Sequence, residues 1–504
     1  MRRVVIGSVV VVCLSAIAHA GDMKAVVKAG VLTITDSAGD DLLALDQAGL
    51  MDPTSFRLTS GPGTTVNGSA SAQTFAGVTK DIRFVHSGGM DEDVISTLTV
   101  PRDLIVQAAA LDSLELTFVG AIIDRDLKID SKANVLDIDT TTGGGSIVKR
   151  DVKISTSASV GTIAHLAPLF VVRNLTWKGG ALPDLIELGS SAHVGGTVSL
   201  DLAGGSDQLL QDDTVHIGGP MKIKAKTGMK QVTLSGSYHD DVSCDFGASD
   251  SVTATIDPVA ISGMLNLKLG SGATHAATIS STSIGEGVDI QSKGDVDSIV
   301  LSGTAVGGDA RFKLGPGSNT VFVSALSQIG GDMLYFGSAA SDDVSFVQST
   351  AYGDVICQLG PAPAGLDDGF TGHQNSIYGN LRITGTSGMH SGSLEDSGVF
   401  GEARISYGSD ANGFTFDGGG YKSITMIGTS GPDTFVITGG SLVAHHEITV
   451  LLGDGNNMLD VASTTCLGNV TVKAGSGNDD VSITSTTVFG DTIVDLGGGT
   501  NVGP

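Results

Sequence analysis

Gly308-Asp309-Ala310-Arg311-Phe312-Lys313-Leu314-Gly315-Pro316-Gly317-Ser318-Asn319-Thr320-Val321-Phe322-Val323 contains the unit from which most of the chain is built. A Gly and an Asp introduce Ala310-Arg311-Phe312, which alternates apolar, polar, apolar. A Gly/Pro/Asn turn follows, and then Val321-Phe322-Val323. Alternation with a period of two is the signature of a strand with one face in and one face out. The Gly-rich turn supplies the tight reversal between two such strands.

The same phrase recurs along most of the sequence. Its first apolar position falls at Ile82, Leu104, Leu127, Val152, Leu175, Val198, Met221, Val242, Leu265 and Val288. It continues at Ala310, Met333, Val355, Leu381, Ala403, Ile424, Ile448, Val470 and Thr492. The step averages about 23 residues, and chance does not hold such a register over so many copies. Two residues on, the side chain is again apolar, as at Phe84, Ile129, Ile154, Trp177, Leu200, Ile223, Leu267, Phe312, Ile383 and Val472. Each copy closes on an apolar residue just before the next Gly, which reads Ile261, Ile284, Val306, Ile329, Tyr352, Tyr378, Phe400, Tyr421, Leu467 and Phe489. A single copy cannot bury its apolar face alone, but stacked copies can. The expectation is an all-β parallel β-helix of about nineteen coils, with aliphatic and then aromatic ladders inside the tube.

In repeat length and in–out pattern the chain resembles the right-handed parallel β-helix proteins over roughly residues 78–504. The opening Gly30-Val31-Leu32-Thr33-Ile34-Thr35, with Ala38-Gly39-Asp40-Asp41 after it, resembles the start of secreted bacterial repeat proteins. Residues 21–77 read as an N-terminal cap with irregular first coils. A second architecture is the calcium-loaded RTX β-roll, because Leu452-Gly453-Asp454-Gly455-Asn456-Asn457 and Gly475-Ser476-Gly477-Asn478-Asp479-Asp480 resemble its Gly/Asp nonapeptides. That roll places two such turns in a coil of about 18 residues, whereas this chain has one in about 23.

Residues 1–20 read as a signal peptide. Arg2 and Arg3 precede the apolar run Val4 to Ile17, and Ala18-His19-Ala20 offers small residues for cleavage before Gly21. The run is too short to span a bilayer comfortably, and no later stretch competes with it. The expected destination is therefore secretion or the cell surface. With 28 basic against 54 acidic residues, the net charge of −26 repels nucleic acid and anionic lipid. The 72 glycines and only 5% aromatics fit many tight turns between short strands, while 40% hydrophobic residues argue against disorder.

Candidate chemistry is sparse. After signal removal Cys244, Cys357 and Cys466 remain, and the repeat puts them at inward positions as buried thiols. The turn residues Asp454, Asn456, Asn478, Asp479 and Asp480 are oxygen donors that adjacent coils can offer to calcium. His239-Asp240-Asp241 and His445-His446-Glu447 have metal-ligating types but no spaced partner motif. Parallel β-helix lyases carry a catalytic Arg or Lys in a loop-walled groove, and Arg382 with Arg404, one coil apart on the outward face, resembles such a basic patch. Loops long enough to wall a groove are missing: the longest step, around Pro361–Gln374, exceeds the mean by only about three residues. No catalytic constellation can be assigned. The sequence thus reads as a non-catalytic exported scaffold or adhesin meeting an extracellular polymer or cell-surface glycan, with a carbohydrate-active enzyme as the alternative.

Overall fold

A computed structural model describes residues 21–503 apart from 37–38, 142–143, 158–160, 239, 340 and 363–366. The expected signal peptide and His239 therefore lie outside the described residues. The described chain has no helix, so none is long and apolar enough to cross a membrane. It stacks parallel coils of about 23 residues into a β-solenoid of about 18 turns. At ~4.8 Å per coil the tube is about 90 Å long.

One coil shows the construction. Its three strands are Ala310–Lys313, Ser318–Ser324 and Gln328–Ile329, and the next coil begins with Met333–Phe336. Each strand pairs in parallel with its equivalent one coil on: Ala310 with Met333, Val321 with Val344, Ile329 with Ala351. The pairing step equals the sequence step, so the recurring apolar positions stack on themselves. Ile82, Leu104, Val242, Leu265 and Val470 are all buried in one continuous core. Trp177, Cys244 and Cys357 occupy the neighbouring inward position and are buried, as is Cys466; all three thiols are free.

The Asp or Asn that opens each repeat has a structural task. Asp309 Oδ1 accepts the backbone N–H of Asp332, and Asp332 Oδ1 accepts that of Asp354. Asp354 Oδ1 accepts Asn380 N–H, and Asn380 Oδ1 accepts Glu402 N–H. A corner amide that no strand satisfies thus finds a side-chain acceptor on the coil below.

A second polar ladder runs inside the tube, at the first inward position of the middle strand. In the C-terminal half it comprises Asp297, Asn319, Asp342, Asp368, His390, Asn412, Asp433, Asn457 and Asp479, all buried. Asn319 Nδ2 donates to Asp342 Oδ1 at 2.8 Å, and the Asp342 N–H donates to Asp368 Oδ1 at 2.9 Å. Asn412 Nδ2 donates to Asp433 Oδ1 at 2.9 Å, and Asn457 Nδ2 to Asp479 Oδ1 at 2.8 Å. Nearer the N-terminus the ladder passes through Asp184 and Asp207, and there buried Lys230 reaches Asp207 with its Nζ at 2.5 Å. Burial pushes the carboxyls of Asp184, Asp342 and Asp433 up to about 6, even though their hydrogen bonds pull the other way. Glycine is required opposite two of them: a Cβ at Gly337 would overlap the Asp342 carboxylate, and one at Gly428 that of Asp433.

The N-terminal residues depart from the repeat. Asp22–Lys28 pairs antiparallel with Val31–Thr35, and Asp41–Asp46 with Phe56–Ser60. Val31–Thr35 and Asp41–Asp46 nevertheless seed the parallel ladders, pairing with Ile82–His86 and Met90–Ser96.

Candidate functional site

The expected inner aromatic ladder is only partly inside. Ile261, Ile284, Val306, Ile329 and Tyr421 are buried, but Tyr352, Tyr378 and Phe400 are 53%, 50% and 60% exposed. Leu467 and Phe489 are likewise exposed. The inward residues of these coils are Ala351, Ile377, Val399 and Cys466, each paired in register with the apolar residue before it. The cause is a one-residue offset at the corner. Ile329 is followed by Gly330-Gly331, whereas Ala351 is followed by Tyr352-Gly353, so the aromatic replaces the first glycine and points outward.

The result is a ridge of stacked rings on the outer corner. Tyr352 and Tyr378 have centroids 5.2 Å apart with planes 9° from parallel, and Tyr378 and Phe400 are 4.8 Å apart at 6°. Backbone pairing sets this spacing, because Tyr352 N–H donates to Ile329 O and Tyr378 N–H to Ala351 O. The inner ring faces are spent on one another, so solvent meets mainly ring edges, two phenol hydroxyls and the outer faces of the stack. The edge is the electropositive side of the ring. Four residues beyond Tyr378 and Phe400, Arg382 and Arg404 stand outward and exposed in direct register. Arg404 has Glu402 at 3.8 Å, a loose contact. Apolar edges, hydroxyls and two guanidinium groups therefore recur together over consecutive coils of a strongly acidic chain.

The calcium candidates are divided by the tube wall. Asp479 is buried and accepts Asn457 Nδ2, as a member of the inner ladder. Asp454, Asn456, Asn478 and Asp480 lie on the exposed side. There Asp454 Oδ1 accepts the Ser476 N–H at 2.8 Å and hydroxyl at 2.9 Å, and these bonds hold its carboxyl below the usual range. Asn456 Oδ1 accepts Asn478 N–H, and Asn478 Oδ1 accepts Thr500 N–H. These turns close tightly: Gly477 has φ +142°, and a Cβ there would overlap the Gly455 carbonyl.

His445, His446 and Glu447 are exposed around a shallow depression with Lys422, Leu467 and Asn469. His445 continues the corner line of Tyr352, Tyr378 and Phe400, one residue beyond inward Ala444. A second outer stack joins Phe170, His193 and His216, the two imidazoles 4.9 Å apart.

No family model and no curated protein matches the chain. Among solved structures, the crystal structure of the Haemophilus influenzae Hap adhesin aligns with 91% of this chain over 68% of its own, at 10% identity and a TM-score of 0.26. A likeness of that depth carries no information about role.

Proposed function

We propose that this chain is a non-catalytic extracellular or cell-surface solenoid, an adhesion, matrix or envelope scaffold, that holds an acidic glycan along the Tyr352–Tyr378–Phe400 corner. The observation that supports it is the ridge itself: three exposed rings repeating once per coil, with Arg382 and Arg404 exposed four residues on from the last two. A polymer with a repeating unit can engage such a ridge at successive positions, and weak contacts summed along a rigid rod give useful avidity. Arginine recognises carboxylate or sulfate as a planar fork, so Arg382 and Arg404 offer an anionic sugar a local cationic patch at short range, where the repulsion of the net charge of −26 is screened. An apolar ridge left in solvent on an acidic surface is also the kind of feature that marks an interaction site.

The test is a panel of acidic and neutral polysaccharides against the purified chain. Acidic polymers are expected to bind, and Arg382→Ala with Arg404→Ala to weaken binding by an order of magnitude or more while the melting temperature holds. Equal binding by the double variant sinks the proposal. If unsaturated products or new reducing ends appear and vanish in the same variant, the chain is an enzyme. Calcium at the outer oxygens of Asp454, Asn456, Asn478 and Asp480 belongs to the same proposal. It predicts a rise in melting temperature with Ca²⁺ that Asp454→Asn abolishes, and no rise at all refutes it.

A further inference from the structure

The first regular coil carries a polar cluster where later coils are apolar. His86, Asp91 and Asp93 point into the tube at positions that the next coil fills with Ala108, Leu114 and Leu116. Asp36, at the end of the preceding cap strand, closes the cluster from the other side. The side chains of His86, Asp36, Asp91 and Asp93 are at most 2% exposed. Three buried carboxylates around one imidazole leave excess negative charge even when the ring is protonated. Buried charge is costly unless it is paired, hydrogen-bonded or bound to metal.

The geometry says which. His86 Nδ1 lies 3.4 Å from Asp36 Oδ2 and 3.2 Å from Asp91 Oδ2, and donor atoms of all three residues fall within 4.8 Å of one another. Among the described residues, both ring nitrogens of His86 and the facing oxygens of Asp91 and Asp93 make no hydrogen bond of good geometry. Two ligands on a tetrahedral ion with ~2.0–2.1 Å bonds stand ~3.3–3.4 Å apart, close to both distances. On the far side of the ring His86 Nε2 is 2.9 Å from Asp93 Oδ2, the carboxylate partner that metal-bound imidazoles commonly have. Asp36 is held in place by the Ser87 N–H at 2.7 Å and the Ser87 hydroxyl at 2.5 Å.

We infer that His86 Nδ1, Asp36 and Asp91 form a buried structural site for a divalent transition metal of the zinc type, with Asp93 orienting the imidazole. The donors come from the cap strand end and from the first two strands of the first coil, so the ion pins the cap to the solenoid. Imidazole together with carboxylate favours zinc over calcium or magnesium, which prefer oxygen alone.

The test uses the full chain stripped with a chelator and titrated with Zn²⁺ against a chromophoric competitor. One tight equivalent is expected, and Co²⁺ in its place should give the visible absorption of a tetrahedral ion. Asp93→Asn, which keeps the ligands, should weaken Zn²⁺ by about 10–100-fold. His86→Gln should lose the tight equivalent altogether. Absence of a tight equivalent in the stripped wild-type chain, or equal uptake by both variants, overturns the inference. Should His86→Gln not fold, the Asp93→Asn affinity and the wild-type Co²⁺ spectrum decide it.

Discussion

Replacing Asp342 by Asn isolates the cost of holding a carboxylate inside the tube. In the folded chain Asp342 is fully buried, and desolvation raises its carboxyl from 3.8 to about 6. The sign follows from linkage. Between those two values the folded chain binds the proton more tightly than the unfolded chain does. Stability therefore falls as pH rises through that window, and it stays lower above pH 6. A rise of about two pH units corresponds to about 3 kcal/mol. Asn keeps the shape, and its Oδ1 can still accept Asn319 Nδ2. Asp342→Asn should therefore stabilise its neighbourhood by ~2–3 kcal/mol at pH 8 and change little near pH 3.5, where the folded wild type is protonated at that position and the unfolded chain mostly so. Hydrogen exchange of the Asp342–Val347 amides reads this locally, which matters because a long repeat array does not unfold as one unit. At pH 8 these amides should exchange roughly 30- to 150-fold more slowly in the variant than in the wild type. Equal exchange at pH 8, or faster exchange in the variant, would refute the claim that Asp342 is a destabilising buried acid. Asp433→Asn should behave alike, since its carboxyl is pushed up to about 6 by the same burial.

Two further outcomes follow from the inner face. Val242→Asp buries an unpaired charge at a fully enclosed position and should cost several kcal/mol, whereas the partly exposed neighbour Ser243→Asp should cost under about 1 kcal/mol; equal melting losses would contradict the in–out register. The buried thiols should alkylate slowly in the native chain, because burial pushes Cys244 up to about 12, and rapid native labelling would contradict it.

The solenoid was legible because its period and its alternation are carried by every copy, and a β-coil has few ways to bury such a pattern. The inner polar ladder was not read, although its signal is present. Asp297, Asn319, Asp342, Asp368, His390, Asn412, Asp433, Asn457 and Asp479 recur at the same step where the middle strand begins. Asp, Asn and Gly at a turn exit look like solvated turn residues, and only the register shows which of them points inward. That is also why Asp479 parted company with its four neighbours. The outer rings were misplaced because Gly served as the marker of the corner, while the corner begins one residue earlier wherever an aromatic has replaced its first glycine. The His86 cluster was invisible to a repeat-based reading, since its residues occur once and Asp36 lies in the aperiodic cap.

The claim that a repeating polymer is held along the aromatic corner is tested most directly by the dependence of affinity on ligand length. Sized oligomers of an acidic polysaccharide are titrated by calorimetry into the wild-type chain and into a variant with Tyr352, Tyr378 and Phe400 all changed to Ala. Affinity should climb with oligomer length until the ligand spans the three rings, which cover about 10 Å between the outer centroids, and then level off, and the variant should lose that climb. Affinity that does not change with length, or a variant whose length dependence matches the wild type, contradicts the account.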